Sequence, residues 1–156
     1  MPILPLEDLA AAAPPRTPIL GLDLGEKTIG VAVSDRDRMI ASPLELIRRT
    51  KFTHDAERLF ELMAGRGAQA MVIGLPINMD GTEGARCQSV RAFARNLLRL
   101  RELPIAFWDE RLSTSAVQRM LTGEADLTRL RRSELVDKAA AAWILQGALD
   151  RLAARL

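Results

Sequence analysis

The residues best placed to do chemistry in this chain are acids: Asp23, the neighbours Asp109 and Glu110, and Asp137. Asp23 lies inside the apolar run Ile19–Leu24, and period-two alternation puts it on one strand face with Ile19 and Gly21. A lone carboxylate there costs several kcal/mol unless it is paired or binds a metal. The alternative is a strand-end Asp bonded to the following turn. Asp109 and Glu110 follow the apolar run Ile105–Trp108. Neighbouring strand residues face opposite ways, so at most one of the two points readily toward Asp23. The alternative for both is a strand end entering solvent. Asp137 shares helical spacing with Ala140, Ala141, Ile144, Leu145 and Ala148, which puts it on the buried side of a helix. It could equally be a first-turn carboxylate that suits the helix dipole. Acids converging from a first strand, a last strand and a last helix repel one another unless a divalent cation neutralises them. That arrangement serves two-metal phosphodiester hydrolysis.

The elements that must position these acids follow from the pattern. Strands are predicted over Ile19–Leu24, Thr28–Ser34, Met39–Ile47 (kinked at Pro43), Ala70–Leu75 and Ile105–Trp108. A first helix, with Ala56, Leu59, Phe60, Met63 and Ala64 on its buried face, starts near Thr53 and stops before Gly65 and Gly67. A second buries Val90, Phe93, Ala94, Leu97 and Leu98. A short helix is expected over Ser113–Leu121, a mobile Arg-rich loop over Thr122–Arg132 and a final helix over Ser133–Leu152. The order β-β-β-α-β-α-β-α gives an α/β fold, a mixed five-stranded sheet with helices on both faces. Residues 1–17 hold four prolines and are expected to be a disordered extension, leaving one domain over 18–156.

Composition narrows the chemistry. The chain has 156 residues, one domain's worth, and too few for two nucleotide-clamping domains. One cysteine, Cys87, allows no intrachain disulfide and no Cys-based zinc site, and fits a reducing, cytoplasmic setting. With His54 the only histidine, a metal would take carboxylates and so be a hard cation, Mg²⁺ or Mn²⁺. Tyr is absent and aromatics are 4%, so base stacking is not the main binding device. No apolar run suggests a membrane span. The net charge is only +2, yet only Lys27, Lys51 and Lys138 of the 22 basic residues are lysines. Residues 86–132 hold the excess, with 10 basic against 5 acidic groups. There Arg91, Arg95 and Arg99 lie four apart and form one helical ridge. With Arg129, Arg131 and Arg132 they make a candidate phosphate-binding surface, or else an ordinary solvated face. The Gly-rich loop from Asn78 through Gly81 to Gly84 precedes a helix N-terminus, where amide groups can bind phosphate; otherwise it is a flexible connector.

Four stretches together carry a family resemblance: Gly21–Gly25 through Gly30–Asp35; Val72–Pro76 with Asp80-Gly81; Trp108–Thr114; and Val136–Ala140. In this order and spacing they resemble the YqgF or RuvX family, the Holliday-junction-resolvase-like, pre-16S ribosomal RNA nucleases. The resemblance implies a ribonuclease H-like fold. It also implies a metal-dependent nuclease maturing the 5′ end of 16S rRNA in the cytoplasm, with pre-rRNA or a pre-ribosomal particle as partner. Asp23, Glu110 and Asp137 match the family's proposed active site. Arg111 could then hold the scissile phosphate or bridge to Asp109. Lys138 could stabilise leaving-group charge or neutralise the acids. Branched DNA is an alternative substrate. Two other readings stand beside it. Asp-x-Gly with Thr-x-Gly-x-Ala also resembles the phosphate hairpin of actin-like and sugar-kinase proteins, which need two such domains. A non-catalytic RNA-binding assembly factor would use the Arg ridge equally well.

Overall fold

The computed structural model describes residues 3–112 and 129–154, with only the backbone described over 129–138. The predicted helix over Ser113–Leu121 and most of the predicted Arg-rich loop lie outside the described residues. Its last residues do not: Arg129, Arg131 and Arg132 are helical rather than part of a loop.

Among the described residues five strands form one sheet: β1 (Ile19–Leu24), β2 (Thr28–Ser34), β3 (Ala41–Arg48), β4 (Ala70–Leu75) and β5 (Ile105–Asp109). Their spatial order is β3-β2-β1-β4-β5. The β1-β2-β3 meander is antiparallel, whereas β4 runs parallel to β1 and β5 parallel to β4. The mixed sheet is therefore as expected from the order of elements. The tight β1–β2 turn is closed by Gly25 N–H donating to the Thr28 carbonyl at 2.8 Å. The kink expected at Pro43 is a bulge: Ala32 pairs with Pro43 but Val31 with Glu45, leaving Leu44 extra.

Helices cover both faces. On one, α2 (Phe52–Arg66) and α3 (Ala85–Leu100) bury Leu59, Met63, Phe93 and Leu97 against Leu20, Leu22, Ile73 and Ile105. Gly65 does not stop α2; Gly67 does, in the left-handed conformation at φ 72°. On the other face lies the final helix, α4 (Arg129–Ala153 in chain order), with Ala141, Ile144, Leu145 and Ala148 over Ile19, Val72 and Ala106. Glycines set its distance. A Cβ at Gly21 would come within 2.7 Å of the Leu145 Cβ, and one at Gly147 within 2.7 Å of the Trp108 ring. The small residues at this contact let helix and sheet backbones approach closely.

The N-terminal segment departs from expectation. It was expected to be disordered, but a short helix, α1 or αN, spans Leu6–Ala12, with Leu9 wholly buried and Ala13 nearly so beside α4. Leu4 N–H donates to the Ile105 carbonyl at 2.8 Å, so the segment lies along the outer edge of β5. Arg38, with φ 57°, staples the stretch after αN. Its guanidinium donates to the carbonyls of Ala10, Pro14 and Thr17 at 2.7–3.2 Å. The prolines signalled disorder because composition does not register this docking partner, found some twenty residues further on.

Candidate active site

Strand alternation selects the acids. In β1, Leu20, Leu22 and Leu24 face α2 and α3, while Ile19 and Gly21 face α4, and Asp23 follows them. In β5, Ile105 and Phe107 face α3, while Ala106 and Trp108 face α4. Asp109 therefore turns to the α3 side, and Glu110, the first residue of a 3₁₀ turn over Glu110–Leu112, turns to the α4 side with Asp23. The β1–β4 register sets Leu22 opposite Ile73, so Asp23 comes beside Gly74. A Cβ on Gly74 would meet Glu110 Oε1 at 2.8 Å and Ile144 Cδ1 at 2.5 Å. The missing side chain at 74 is thus the space in which Glu110 reaches Asp23.

The two carboxyls are hydrogen-bonded to each other, which requires one of them to hold a proton. Both carboxyls are pushed toward the protonated form, Glu110 the further of the two. Burial, the bond to Asp23 and the Asp23 charge push the Glu110 pKa up to about 8, with a small opposing effect from Arg86. Burial also raises Asp23, but its bond to Glu110 and the nearby Arg86 charge act to lower it. Two hard oxygen donors that share one proton in a partly desolvated site fit a divalent cation, which would replace the proton. Asp137 lies in α4, one turn before Ala141, whose carbonyl oxygen would be 3.3 Å from a Cβ on Gly21. The side chains of Asp137 and Lys138 fall outside the described residues. Among the described residues no three of His, Cys, Asp and Glu cluster for a metal.

The remaining predicted contacts divide. Arg111 is engaged by Asp109, with Nη2 donating to Oδ2 at 2.6 Å and Nε to both oxygens. This bridge fixes the turn that carries Glu110. Arg91 grips Glu83 through two bonds of 2.7 and 2.8 Å and lies over the Phe107 ring. Arg95 and Arg99 are exposed, with Arg99 touching Asn96. The ridge is therefore not uniform: its first member is held by an acid, and its last two face solvent. The Asn78–Gly84 loop is a built turn rather than a slack connector. Asp80 accepts from the Thr82 amide and hydroxyl at 2.9 and 2.6 Å, and the Asn78 amide donates to that hydroxyl. Gly81 takes φ 90°, which favours glycine. Asn78, Arg111 and Glu110 border one open cleft of about 440 Å³.

Sequence reading missed Arg86. It is exposed, borders that cleft and places its charge on both acids. A signal was available: a cation in the first turn of α3 opposes the helix dipole, so it calls for a negative partner.

The RuvX family model, described as a Holliday junction resolvase, matches residues 17–151. The chain belongs to the RuvX family. One RuvX relative, from Phenylobacterium zucineum (strain HLK1), is 74% identical over 97% of this chain and 98% of its own, and is named "Putative pre-16S rRNA nuclease". One from Rhodospirillum rubrum (strain ATCC 11170) bears the same name at 62% identity, over 97% of this chain and 94% of its own. Among solved structures, Thermus thermophilus RuvC in complex with a Holliday junction substrate aligns at a TM-score of 0.53 and 15% identity, covering 87% and 96% of the two chains. That likeness concerns the fold, which is ribonuclease H-like in this RuvX member as the sequence implied.

Proposed function

We propose that this protein is a nuclease that hydrolyses phosphodiester bonds with a divalent cation, acting at the 5′ end of precursor 16S rRNA in the bacterial cytoplasm. The observation that carries the chemistry is the Asp23–Glu110 pair sharing one proton on the α4 face of the sheet. The substrate rests on the names of relatives that match nearly end to end. Asp23 and Glu110, with Asp137 as the third acid, would hold Mg²⁺ or Mn²⁺. When bound, the ion supplies Lewis-acid stabilisation of charge at the phosphate and eases ionisation of water. The protein's own part is to hold the carboxylates in register. Gly74 leaves them room, the Asp109–Arg111 bridge fixes the Glu110 turn, and Arg86 offsets their charge. Lys138 adds a second cation beside Asp137 in the chain. Arg95 and Arg99 offer exposed charge to the nucleic-acid backbone.

The family description favours four-way DNA junctions as a second substrate. The test is metal-dependent cleavage of a precursor 16S leader and a matched junction by the wild type and Asp23→Asn. The expected result is cleavage of the leader by the wild type and a loss of at least about 10²-fold in the variant at unchanged thermal midpoint. Full activity of Asp23→Asn would remove Asp23 from the mechanism. Junction cleavage alone would transfer the substrate to DNA. Tight RNA binding without cleavage under any divalent cation would make the protein an assembly factor.

A further inference from the structure

Arg86 walls two clefts, not one. The first contains Glu110 and Arg111. The second, of about 230 Å³, lies on the other side of the α3 N-terminal turn and is lined by Gly25, Glu26, Arg49, Arg86 and Ser89 among others. Leu24, at the end of β1, also lines it. The two clefts meet at Arg86, whose charge acts on both acids, and Glu110 lines the first of them.

Arg49 is held in place within the second cleft. Its Nη1 donates to the Gly25 carbonyl at 2.7 Å, and its guanidinium lies over the Phe93 ring, 5.6 Å from the centroid. Phe93 is itself fixed edge-on by Phe52 at 5.3 Å. A guanidinium held on one nitrogen and one face keeps its other N–H donors free to fork onto an anion. Other arginines around the site are already engaged, Arg91 by Glu83 and Arg111 by Asp109. Two guanidinium groups and a serine hydroxyl face one rim carboxylate, Glu26, so the cleft is net positive. Two guanidinium groups and a hydroxyl are the chemistry for a backbone phosphate.

We propose that Arg49 and Arg86 form a phosphate subsite that holds a single nucleic-acid strand one step beyond the phosphate at the acid pair. The subsite rests on the nuclease reading for its purpose but not for its detection, because it is read out by binding. The experiment measures the affinity of the full-length protein for a labelled single-stranded RNA, with chelator present, across a salt titration. Arg49→Gln and Arg86→Gln are each expected to weaken binding about five- to tenfold and to flatten the salt slope by about 0.7, the value for one phosphate contact on a single strand. Arg16→Gln removes the same charge at a residue that lines neither cleft and is paired with Asp37, and it should leave the slope unchanged. Arg49→Lys keeps the charge and should keep the slope. Arg49→Gln behaving like Arg16→Gln would overturn the subsite, as would equal loss in Arg49→Lys, which would trace the effect to folding. If the wild type cleaves nothing yet these shifts appear, the subsite stands and the nuclease reading falls. If the wild type cleaves and the Arg49→Gln slope is unchanged, the reverse holds.

Discussion

Glu110 has its pKa pushed up to about 8, first by burial and then by its bond to Asp23 and the Asp23 charge. In the unfolded chain the same carboxyl ionises near pH 4.5. The folded state thus binds more protons across this interval, and stability falls as pH rises through it. Without divalent cations, the wild type should lose thermal stability between pH 5 and about 8, as the unfolded and folded values set the window. Glu110→Gln removes the titration, so it should flatten this decline and be the more stable protein at pH 8 by at least about 1 kcal/mol, one pKa unit's worth. Thermal melts in chelator at both pH values check this, and a decline equally steep in Glu110→Gln would place the titrating group elsewhere. At this scale the sequence was informative where burial conflicts with charge. Asp23 stood out because an acid inside Ile19–Leu24 needs a partner. The choice of Glu110 over Asp109 could not be made from spacing alone. It depends on β5 keeping strict alternation through Asp109 and turning immediately afterwards. For Arg111 the sequence left phosphate and Asp109 as equal alternatives, and for Arg91 it did not show Glu83, because a guanidinium that binds a nearby acid and one that awaits a phosphate have the same place in a sequence.

At the level of elements, the acids are positioned by the absence of side chains on two strands. Gly21 lets α4 rest on β1, and Gly74 leaves the volume that Glu110 occupies. The two substitutions should therefore differ in kind. Gly21→Ala meets the Leu145 Cβ, close to the helix backbone, and should cost about 1–3 kcal/mol of stability by chemical denaturation. Gly74→Ala meets the movable ends of Glu110 and Ile144, so it should lower activity far more than stability. Cleavage that survives Gly74→Ala intact would show that Glu110 need not occupy that space. The strands themselves were legible to within a residue or two, because β1, β2 and β4 are buried on both faces and read as short apolar runs closed by Gly, Asp or Pro. Helix ends were less so. Gly65 lies inside α2 since it is Gly67 that adopts the left-handed turn, and a glycine's conformation is not written in its identity.

Across the whole molecule, αN was the element that sequence reading lost. It has seven residues, no side-chain cap and a Pro-rich approach, so its order comes from docking rather than helix propensity. Leu9 is fully buried, and Leu9→Ala should cost about 2–5 kcal/mol in denaturant unfolding. A cost near zero would mean the segment is not docked in solution. The sheet has two outer strands, and they are finished differently. β3 carries Pro43 and a bulge, both poor templates for further pairing. β5 is short, apolar and regular, and along it runs the segment that donates from Leu4 to Ile105. Removing the N-terminal stretch would therefore do more than weaken the fold. It would bare a strand edge able to recruit the same strand of another molecule, so a shortened protein should fail first by concentration-dependent self-association, before any loss of its secondary structure.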